Sequence, residues 1–281
     1  MTTLSHGRKI DDAQFKFLTQ YLSNKYGLRI PDEKRVLLES RLSSRIGALK
    51  LNSVEEYLEY LFKSKNGDHE YQYFVEQVTT HKTSFFRENY QFEFLQSNLA
   101  RYCSTFSTPR PIQVWSAGCS TGEEVYSIAI TLEEKRASIP SLDYRIIGTD
   151  ISVPSLKKAA EGIFVARDLE NMTDYVREKY FISRQNGFDQ QLQFTHPEMI
   201  SKIKLGVLNL NNKQYNLPVL FDFIFCRNVT IYFDAKTRGE VLQRMVDKLK
   251  PGGYLFLGHS ETAFGTSLPI KGIQPTIYQK L

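Results

Sequence analysis

The sequence predicts an α/β fold in which a mostly parallel sheet follows an all-helical N-terminal region. Residues 11–80 carry apolar residues at helical spacing, whereas from about residue 110 strand-like apolar runs alternate with helical patterns. Because a strand–helix–strand alternation places helices against both faces of a parallel sheet, the second pattern indicates a doubly wound sheet. A chain of 281 residues is long enough for both units.

Four helices are predicted in the N-terminal region. The first covers residues 11–27, with acids at its start and a glycine after its end. The second begins after Pro31. Ser53 and Glu56 have the spacing of a capping box that starts a third helix, and DHEYQYFVEQVTT carries a fourth helical pattern.

The second half of the chain predicts five sheet strands, which lie in PIQVWSA, YRIIGTDIS, IKLGVLNL, FDFIFCRNV and YLFLGHS. Residues 163–202 interrupt this alternation, and an Asn186-Gly187 pair between two strand-like runs is typical of a hairpin. We therefore expect an inserted antiparallel β-subdomain there. The predicted domains are a helical domain (1–80), a linker with a first helix (81–109), and a sheet domain (110–281) that contains the insertion (163–202).

Composition argues against several classes of protein. The formal net charge of +5 is mild and forms no strong basic tract, which disfavours a nucleic-acid partner. The three cysteines show no CxxC spacing, so neither a zinc site nor a disulfide framework is indicated. No apolar run approaches the roughly 20 residues that span a bilayer. The sequence thus predicts a cytoplasmic protein without a metal site or membrane insertion.

The stretch VWSAGCSTGEEVYSIAI places a glycine turn, Gly118 to Gly122, between a strand and a helix. Two carboxylates, Glu123 and Glu124, stand where a dinucleotide would need a free helix N-terminus for its pyrophosphate. The pattern therefore favours a cationic, phosphate-free cofactor such as S-adenosylmethionine. Plain dipole complementarity is the simpler explanation of an acidic first turn.

Two more features fall at the ends of predicted strands. Asp150 ends the second strand, where a carboxylate could accept both hydroxyls of a ribose, although it could equally be a turn residue. Cys226 to Val229, the sequence CRNV, ends the fourth strand. Because ligands of doubly wound sheets bind outside the carboxyl ends of the strands, the three features together predict a nucleoside-type site.

The segment TTHKTSFFRENYQF, residues 79–92, allows two interpretations. In the first, its two phenylalanines are core residues, Arg87 is a surface cation and His81 is an ordinary loop residue. In the second, the segment joins the two domains and covers the cofactor, so that Thr83 and Arg87 touch it. Composition alone favours the first interpretation.

Four blocks of sequence resemble one known family. TSFFRE, VWSAGCSTGEEVYSIAI, FDFIFCRNVTIYFD and LKPGGYLFLGHSE together are similar to the CheR-type chemotaxis receptor glutamate O-methyltransferases, in register to about Tyr278. The resemblance implies a class I S-adenosylmethionine-dependent methyltransferase domain, with a helical N-terminal domain and an inserted antiparallel β-subdomain. It also implies methyl transfer to glutamate side chains of chemoreceptor cytoplasmic helices, which gives glutamate 5-O-methyl esters and S-adenosylhomocysteine.

The resemblance implies roles for individual residues as well. Those expected to bind the cofactor are His81 (where the family often has Asn), Thr83, Arg87, Gly118, Glu124, Asp150, Asn209, Leu210, Arg227 and Asn228. Of these, Thr83 and Arg87 would contact the methionine part, and Asp150 the ribose. Arg87 and Tyr232 are expected to orient the acceptor carboxylate. A glutamate acceptor has a pKa of about 4.3, so it is already an ionised nucleophile and needs no general base.

Receptor contacts are predicted at two places. Lys34, Arg41 and Arg45 share one face of the second helix and could meet acidic receptor helices, although an ordinary solvated face is the simpler explanation. The hairpin near Asn186 could capture a C-terminal receptor tail peptide by strand addition, as in some family members.

Two alternatives to a receptor methyltransferase remain at this point. One is a methyltransferase of the same fold that acts on nucleic acid or a small molecule. The fourth strand ends in Cys-Arg-Asn-Val, however, and not in an Asn/Asp-Pro-Pro-aromatic motif. The other is a module that senses S-adenosylmethionine without transferring its methyl group. Turnover distinguishes this sensor from a methyltransferase, because a sensor binds the cofactor but forms no methylated product.

Overall fold

The computed structural model describes residues 9–65, 67–79, 83–186 and 189–281. The predicted cofactor residue His81 and the predicted turn residue Gly187 therefore lie outside the described residues.

The N-terminal region is helical, as predicted. Its helices are α1 (Asp12–Tyr26), α2 (Arg35–Ala48), α3 (Val54–Lys63) and α4 (Gly67–Val78). Each contributes apolar side chains to one buried cluster, which includes Leu22, Leu42, Tyr57 and Phe74. A 3-10 turn at Asp32–Lys34 precedes α2.

The ends of these helices follow from local side chains. Asp11 forms a complete capping box with Gln14, and Gly27 ends α1 in a left-handed conformation at φ 71°. At α3 the Ser53 hydroxyl accepts the Glu56 N–H as predicted. A full capping box would also have the Ser53 N–H donate to the Glu56 carboxylate. That part of the prediction is wrong, because the Glu56 carboxylate accepts from the Asn52 N–H instead.

The remaining elements follow in chain order. The helices are α5 (Tyr90–Cys103), α6 (Glu123–Arg136), α7 (Val153–Glu161), α8 (Asp174–Tyr180), α9 (Pro197–Ser201) and α10 (Ala235–Lys248). The strands are β1 (Ile112–Ala117), β2 (Tyr144–Asp150), β3 (Ile163–Val165), β4 (Phe181–Asn186), β5 (Asp189–Phe194), β6 (Ile203–Val207), β7 (Phe221–Cys226), β8 (Leu249–Leu257), β9 (Ile270–Gln274) and β10 (Ile277–Lys280).

In the described part of the chain, seven strands form the main sheet, in the order β6-β2-β1-β7-β8-β10-β9. The five predicted strands are its parallel part, and β10 runs antiparallel to both of its neighbours. The hairpin of β9 and β10 was not predicted, because β9 is an exposed edge strand without a buried face. The order places the carboxyl ends of β1, β2 and β7 side by side.

Strands β3, β5 and β4 form a separate antiparallel sheet, which confirms the predicted antiparallel β-subdomain. Its aromatic side chains Phe164, Phe181 and Phe194 are buried against the main domain. Phe85 packs edge-on against two of them, with ring centroids 4.8 Å and 5.5 Å apart. The exact domain boundaries remain predictions.

None of the helices in the described part of the chain is long and apolar enough to cross a membrane.

Candidate functional site

A pocket lies where the carboxyl ends of the sheet strands face the helical region. Its walls include Tyr26, Leu28 and Leu38 from the helical side and Ile151 and Val229 from the sheet side. Most of the predicted site residues line it: Lys34, Arg41, Thr83, Arg87, Gly118, Glu124, Asp150, Asn209, Leu210, Arg227, Asn228 and Tyr232. Arg45 is not among the described residues that line this pocket.

The glycine turn after β1 is tied to β2 and passes close to a loop of the neighbouring strand. The backbone N–H groups of Gly118 and Cys119 both donate to the Thr149 carbonyl oxygen, at 2.7 Å and 2.9 Å. Gly118 has a φ of 86°, and a Cβ added there would lie 2.5 Å from Cγ2 of Val229. Glycine is therefore needed for both the conformation and the close approach.

Asp150 is fixed at the end of β2 by two backbone donors. Its Oδ2 accepts the Ser120 N–H at 2.8 Å, and its Oδ1 accepts the Ser152 N–H at 2.9 Å. The side chain is buried and borders the pocket. Because a carboxylate oxygen can accept more than one hydrogen bond, both oxygens remain able to accept from a ligand's hydroxyl groups.

The two adjacent acids at the start of α6 diverge. Glu124 borders the pocket, where its carboxylate accepts from the Ser116 hydroxyl and from Nε of Arg227, each at 2.6 Å. Glu123 is buried and instead accepts from the Thr121 hydroxyl at 2.7 Å. Burial raises the pKa of Glu123, an effect that the Thr121 hydrogen bond opposes in part. Glu124 alone of the pair can act on a ligand in the pocket.

Arg227 joins the loop after β7 to the segment before α5. Besides its ion pair with Glu124, its Nη1 donates to the Arg87 carbonyl oxygen at 2.5 Å and to Oε1 of Gln91 at 3.2 Å. The sequence could not reveal this pairing, because Arg227 and Glu124 are 103 residues apart. A buried arginine with these partners fixes the backbone position of Arg87.

The backbone around Arg87 adopts sparsely populated conformations. Phe86 and Glu88, its two neighbours, have φ values of 49° and 56°. Non-glycine residues held in this region cost of order 1–3 kcal/mol each, and such strain clusters at functional sites. Phe85 is a core residue, as the first interpretation of the TSFFRE segment predicts. Thr83 and Arg87 border the pocket, and their contact with a cofactor remains a prediction.

Tyr232 lies on the wall between the two domains. Its carbonyl oxygen accepts the Arg29 N–H at 2.8 Å, which ties the helical region to the loop after β7. Nζ of Lys34 lies 5.8 Å from the centroid of the Tyr232 ring. An aromatic ring and a cation thus stand close together at the helical side of the pocket.

The loop after β6 contacts α1. Nδ2 of Asn209 donates to the Lys25 carbonyl oxygen at 2.7 Å, and Oδ1 accepts the Asn211 N–H at 2.9 Å. Leu210 is buried, and its carbonyl oxygen accepts from the Tyr215 hydroxyl. The Asn209 side chain is thus committed to the protein, while the residue still borders the pocket.

The three cations predicted on α2 differ in their surroundings. Lys34 is exposed in the 3-10 turn that precedes α2. Arg41 donates to the carbonyl oxygens of Gln77 and Thr79 at 2.9 Å and 3.1 Å. Arg45 makes two hydrogen bonds, of 2.9 Å and 2.7 Å, to the buried carboxylate of Glu70. The charge of Arg45 is therefore balanced within the helical domain.

Charge is unevenly divided around the pocket. Among its described residues, the helical side contributes three cations, Arg29, Lys34 and Arg41, and no carboxylate. The sheet side is balanced, with two arginines, Arg87 and Arg227, and the two carboxylates of Glu124 and Asp150. Within the described residues no cluster of His, Cys, Asp and Glu is arranged to hold a metal ion.

Comparison with known proteins extends these observations. The model of the "CheR methyltransferase, SAM binding domain" matches residues 81–278, and that of the "CheR methyltransferase, all-alpha domain" matches residues 13–79. The chain is 38% identical to the chemotaxis protein methyltransferase of Escherichia coli (strain K12), over 90% of this chain and 85% of that protein. It is 34% identical to the chemotaxis protein methyltransferase of Borreliella burgdorferi, over 94% of this chain and 92% of that protein.

Proposed function

This chain belongs to the CheR methyltransferase family. From that premise we propose which acceptor it methylates, in which cell compartment it does so and which residues take part. The chain is an S-adenosylmethionine-dependent methyltransferase of chemotaxis. The acceptors proposed are glutamate side-chain carboxylates on the cytoplasmic helices of methyl-accepting chemoreceptors. The products are then glutamate 5-O-methyl esters and S-adenosylhomocysteine, formed in the cytoplasm.

The uneven charge of the pocket is the observation that carries this proposal. A carboxylate acceptor entering along the helical side meets Arg29, Lys34 and Arg41 and no opposing carboxylate among the described lining residues. Coulomb attraction there favours an acidic acceptor over a neutral amide or an amine. The balanced sheet side suits a cofactor that carries charges of both signs.

The residues present fit S-adenosylmethionine. Asp150, already fixed by two backbone donors, would accept the ribose hydroxyls. Glu124, Thr83 and Arg87 would hold the charged groups of the methionine part. The adenine would lie along Asn209 and Leu210, with the contact to Asn209 made by its backbone, since its side chain bonds Lys25 and Asn211.

The cofactor supplies an electrophilic methyl group, and the protein's task is to orient the acceptor. Because a glutamate is ionised at neutral pH, no proton has to be removed. Well-oriented reactants can gain up to about 7–11 kcal/mol over free encounter. We propose that Arg87 and Tyr232 orient the acceptor carboxylate from two sides, with Arg227 and Asn228 bordering the sulfonium.

Tyr232→Phe tests the acceptor side of this scheme. The change removes one hydroxyl, so we expect kcat to fall by about tenfold or more, because a single hydrogen bond to a charged group contributes ~1.5–3 kcal/mol. Affinity for S-adenosylhomocysteine, measured by calorimetry, should stay near the wild-type value. Tyr175→Phe on the exposed helix α8 is the matched control. Wild-type kcat in the Tyr232 variant would remove Tyr232 from the mechanism.

Lys34→Glu tests receptor docking. Reversing this exposed charge should raise the receptor KM by about tenfold at low salt and less at high salt, because long-range attraction is screened. Lys16→Glu, an exposed position on α1 that does not border the pocket, is the control. An unchanged KM would contradict docking at this face.

Docking by Arg41 and Arg45 remains proposed, but Arg45→Glu is unsuitable as a test because the new carboxylate would face the buried carboxylate of Glu70.

We propose that the β-subdomain captures a receptor C-terminal tail peptide. Strand β4 is at the edge of the order β3-β5-β4, so one of its sides is open to a further strand within the described residues. Titration of a fluorescent tail peptide from a receptor of the same cell should show saturable binding. No binding to a folded protein would contradict this role.

Methyl-labelled S-adenosylmethionine and chemoreceptor-containing membranes test the reaction class. The proposal predicts label on a receptor and its release as volatile methanol in mild base, because carboxyl methyl esters are base-labile. Base-stable label would support the alternative of transfer to nitrogen or carbon. Cofactor binding without any transfer would support a sensor module.

A further inference from the structure

The carboxylate of Glu261, in the loop after β8, accepts hydrogen bonds from six donors among the described residues, which lie in two loops. Glu261 itself is buried and does not border the pocket among the described residues. Its Oε1 accepts from the backbone N–H groups of Val229 (3.0 Å), Thr230 (2.6 Å) and Ile231 (3.2 Å) and from the Thr230 hydroxyl (2.8 Å), and its Oε2 accepts from the N–H groups of Asn228 (2.8 Å) and Gly258 (2.6 Å).

Five of these donors belong to the loop 228–231, which borders the pocket through Asn228 and Val229. Asn228 has a φ of 58°, a left-handed conformation that is uncommon for a residue with a side chain and has to be held by its surroundings. A Cβ added at Gly258 would lie 2.6 Å from the Asn228 nitrogen and 2.7 Å from Oε2 of Glu261. The glycine thus leaves room for the carboxylate to reach the loop.

A second carboxylate supports the same loop from the opposite segment. Oε1 of Glu88 accepts the His259 N–H at 3.0 Å, and Nδ2 of Asn228 lies 3.5 Å from it. Glu88 follows Arg87 in the strained TSFFRE segment. The carboxylates of Glu261 and Glu88 therefore hold the backbone that carries the residues proposed to contact the sulfonium and the acceptor.

We infer that Glu261 is a positioning residue for methyl transfer, which fixes the loop 228–232 so that Asn228 and Tyr232 stand at the reacting groups. This inference rests on the proposed function for the roles of those two residues. Glu261 acts through the loop backbone and touches neither cofactor nor acceptor. Its effect should therefore fall on kcat more than on binding.

A glutamine at this position separates the role of the carboxylate from its shape. Glutamine keeps one acceptor oxygen, which can serve the four donors at the Oε1 position. Its amide NH2 group would then face the N–H groups of Asn228 and Gly258, donor against donor, and push the loop away. A displacement of about 1 Å at reacting groups can cost about 10²-fold in rate.

The test compares Glu261→Gln with Glu240→Gln, an exposed position on α10. We expect the Glu261 variant to lose about 10- to 100-fold in kcat, with the KM for receptor and the Kd for S-adenosylhomocysteine within about threefold of wild type. Backbone amide exchange at 228–231 should become faster. A wild-type kcat would overturn the inference, and so would equal losses in kcat and in cofactor affinity.

Thr230→Val serves if Glu261→Gln does not fold. It removes the hydroxyl bond to Glu261 and keeps the side-chain shape, so kcat should fall several-fold at an unchanged melting temperature. An unchanged kcat in this variant would overturn the inference. Wild-type protein in the same assay separates the two claims: if it labels no receptor, the proposed function fails, whereas an active wild type with fully active variants contradicts the positioning role alone.

Discussion

Asp150→Asn is expected to weaken the binding of S-adenosylhomocysteine by about 10- to 100-fold. The carboxylate is buried at the end of β2, and both of its oxygens are held by backbone donors in an orientation that leaves them able to accept from a ribose. Hydrogen bonds to a charged group contribute ~1.5–3 kcal/mol, and each 1.4 kcal/mol is a factor of about ten in affinity. Calorimetric titration of wild type and variant measures the change.

A cofactor analogue separates ribose recognition from damage to the turn. A 2′,3′-dideoxy form of S-adenosylhomocysteine lacks the hydroxyls that Asp150 would bind, so wild type and Asp150→Asn should bind it with similar affinity. If the variant loses affinity equally for both ligands, Asp150 supports the turn through Ser120 and Ser152 and does not bind the ribose. Asp247→Asn, at an exposed position on α10, is the matched control.

Asp222→Ala is expected to lower the free energy of unfolding by about 3 kcal/mol or more. Asp222 is fully buried on β7, and its carboxylate accepts from Arg110, Lys250, the Tyr102 hydroxyl and the Gln113 N–H at 2.7–2.9 Å. Removing one partner of a buried ion pair costs about 3–5 kcal/mol. Denaturant unfolding measures the difference, with Asp247→Ala as the control. A loss below about 1 kcal/mol would show that the network contributes little.

The same network predicts the pH dependence of that difference. Burial would raise the pKa of Asp222, but the hydrogen bonds from Arg110, Gln113 and Lys250 outweigh it and hold the pKa below its ordinary value. A carboxyl with a lowered pKa stabilises the fold above its unfolded-state pKa of about 3.9, and this contribution is lost as the pH falls through the folded-state value. The stability gap between wild type and Asp222→Ala should therefore shrink below about pH 4.

Local signals in the sequence predicted the elements that hold the site. Asp11 and Gly27 mark the ends of α1 because capping and left-handed glycine act over a few residues. The glycine turn at Gly118 and the carboxylate of Asp150 could be placed together because carboxyl ends of neighbouring parallel strands meet at one edge. The assignment of the pocket residues to the cofactor remains a prediction.

Long-range pairings could not be predicted in this way. Glu261 accepts hydrogen bonds from a loop about 30 residues earlier in the chain, and Glu124 is paired with an arginine 103 residues away. The binding of Arg45 to Glu70 likewise depends on how α2 packs against α4. No spacing rule along one element reveals such contacts. They account for most of what the sequence missed in the site.

A crystal structure with bound S-adenosylhomocysteine would show whether the pocket between the helical region and the sheet edge holds the cofactor and presents it to an acidic acceptor. We expect ribose hydroxyls within hydrogen-bond distance of Asp150, the amino-acid part beside Glu124 and Arg87, and the sulfur facing Tyr232. A cofactor whose ribose lies away from Asp150, or whose sulfur faces away from Tyr232 and from the cations Arg29, Lys34 and Arg41, would contradict it.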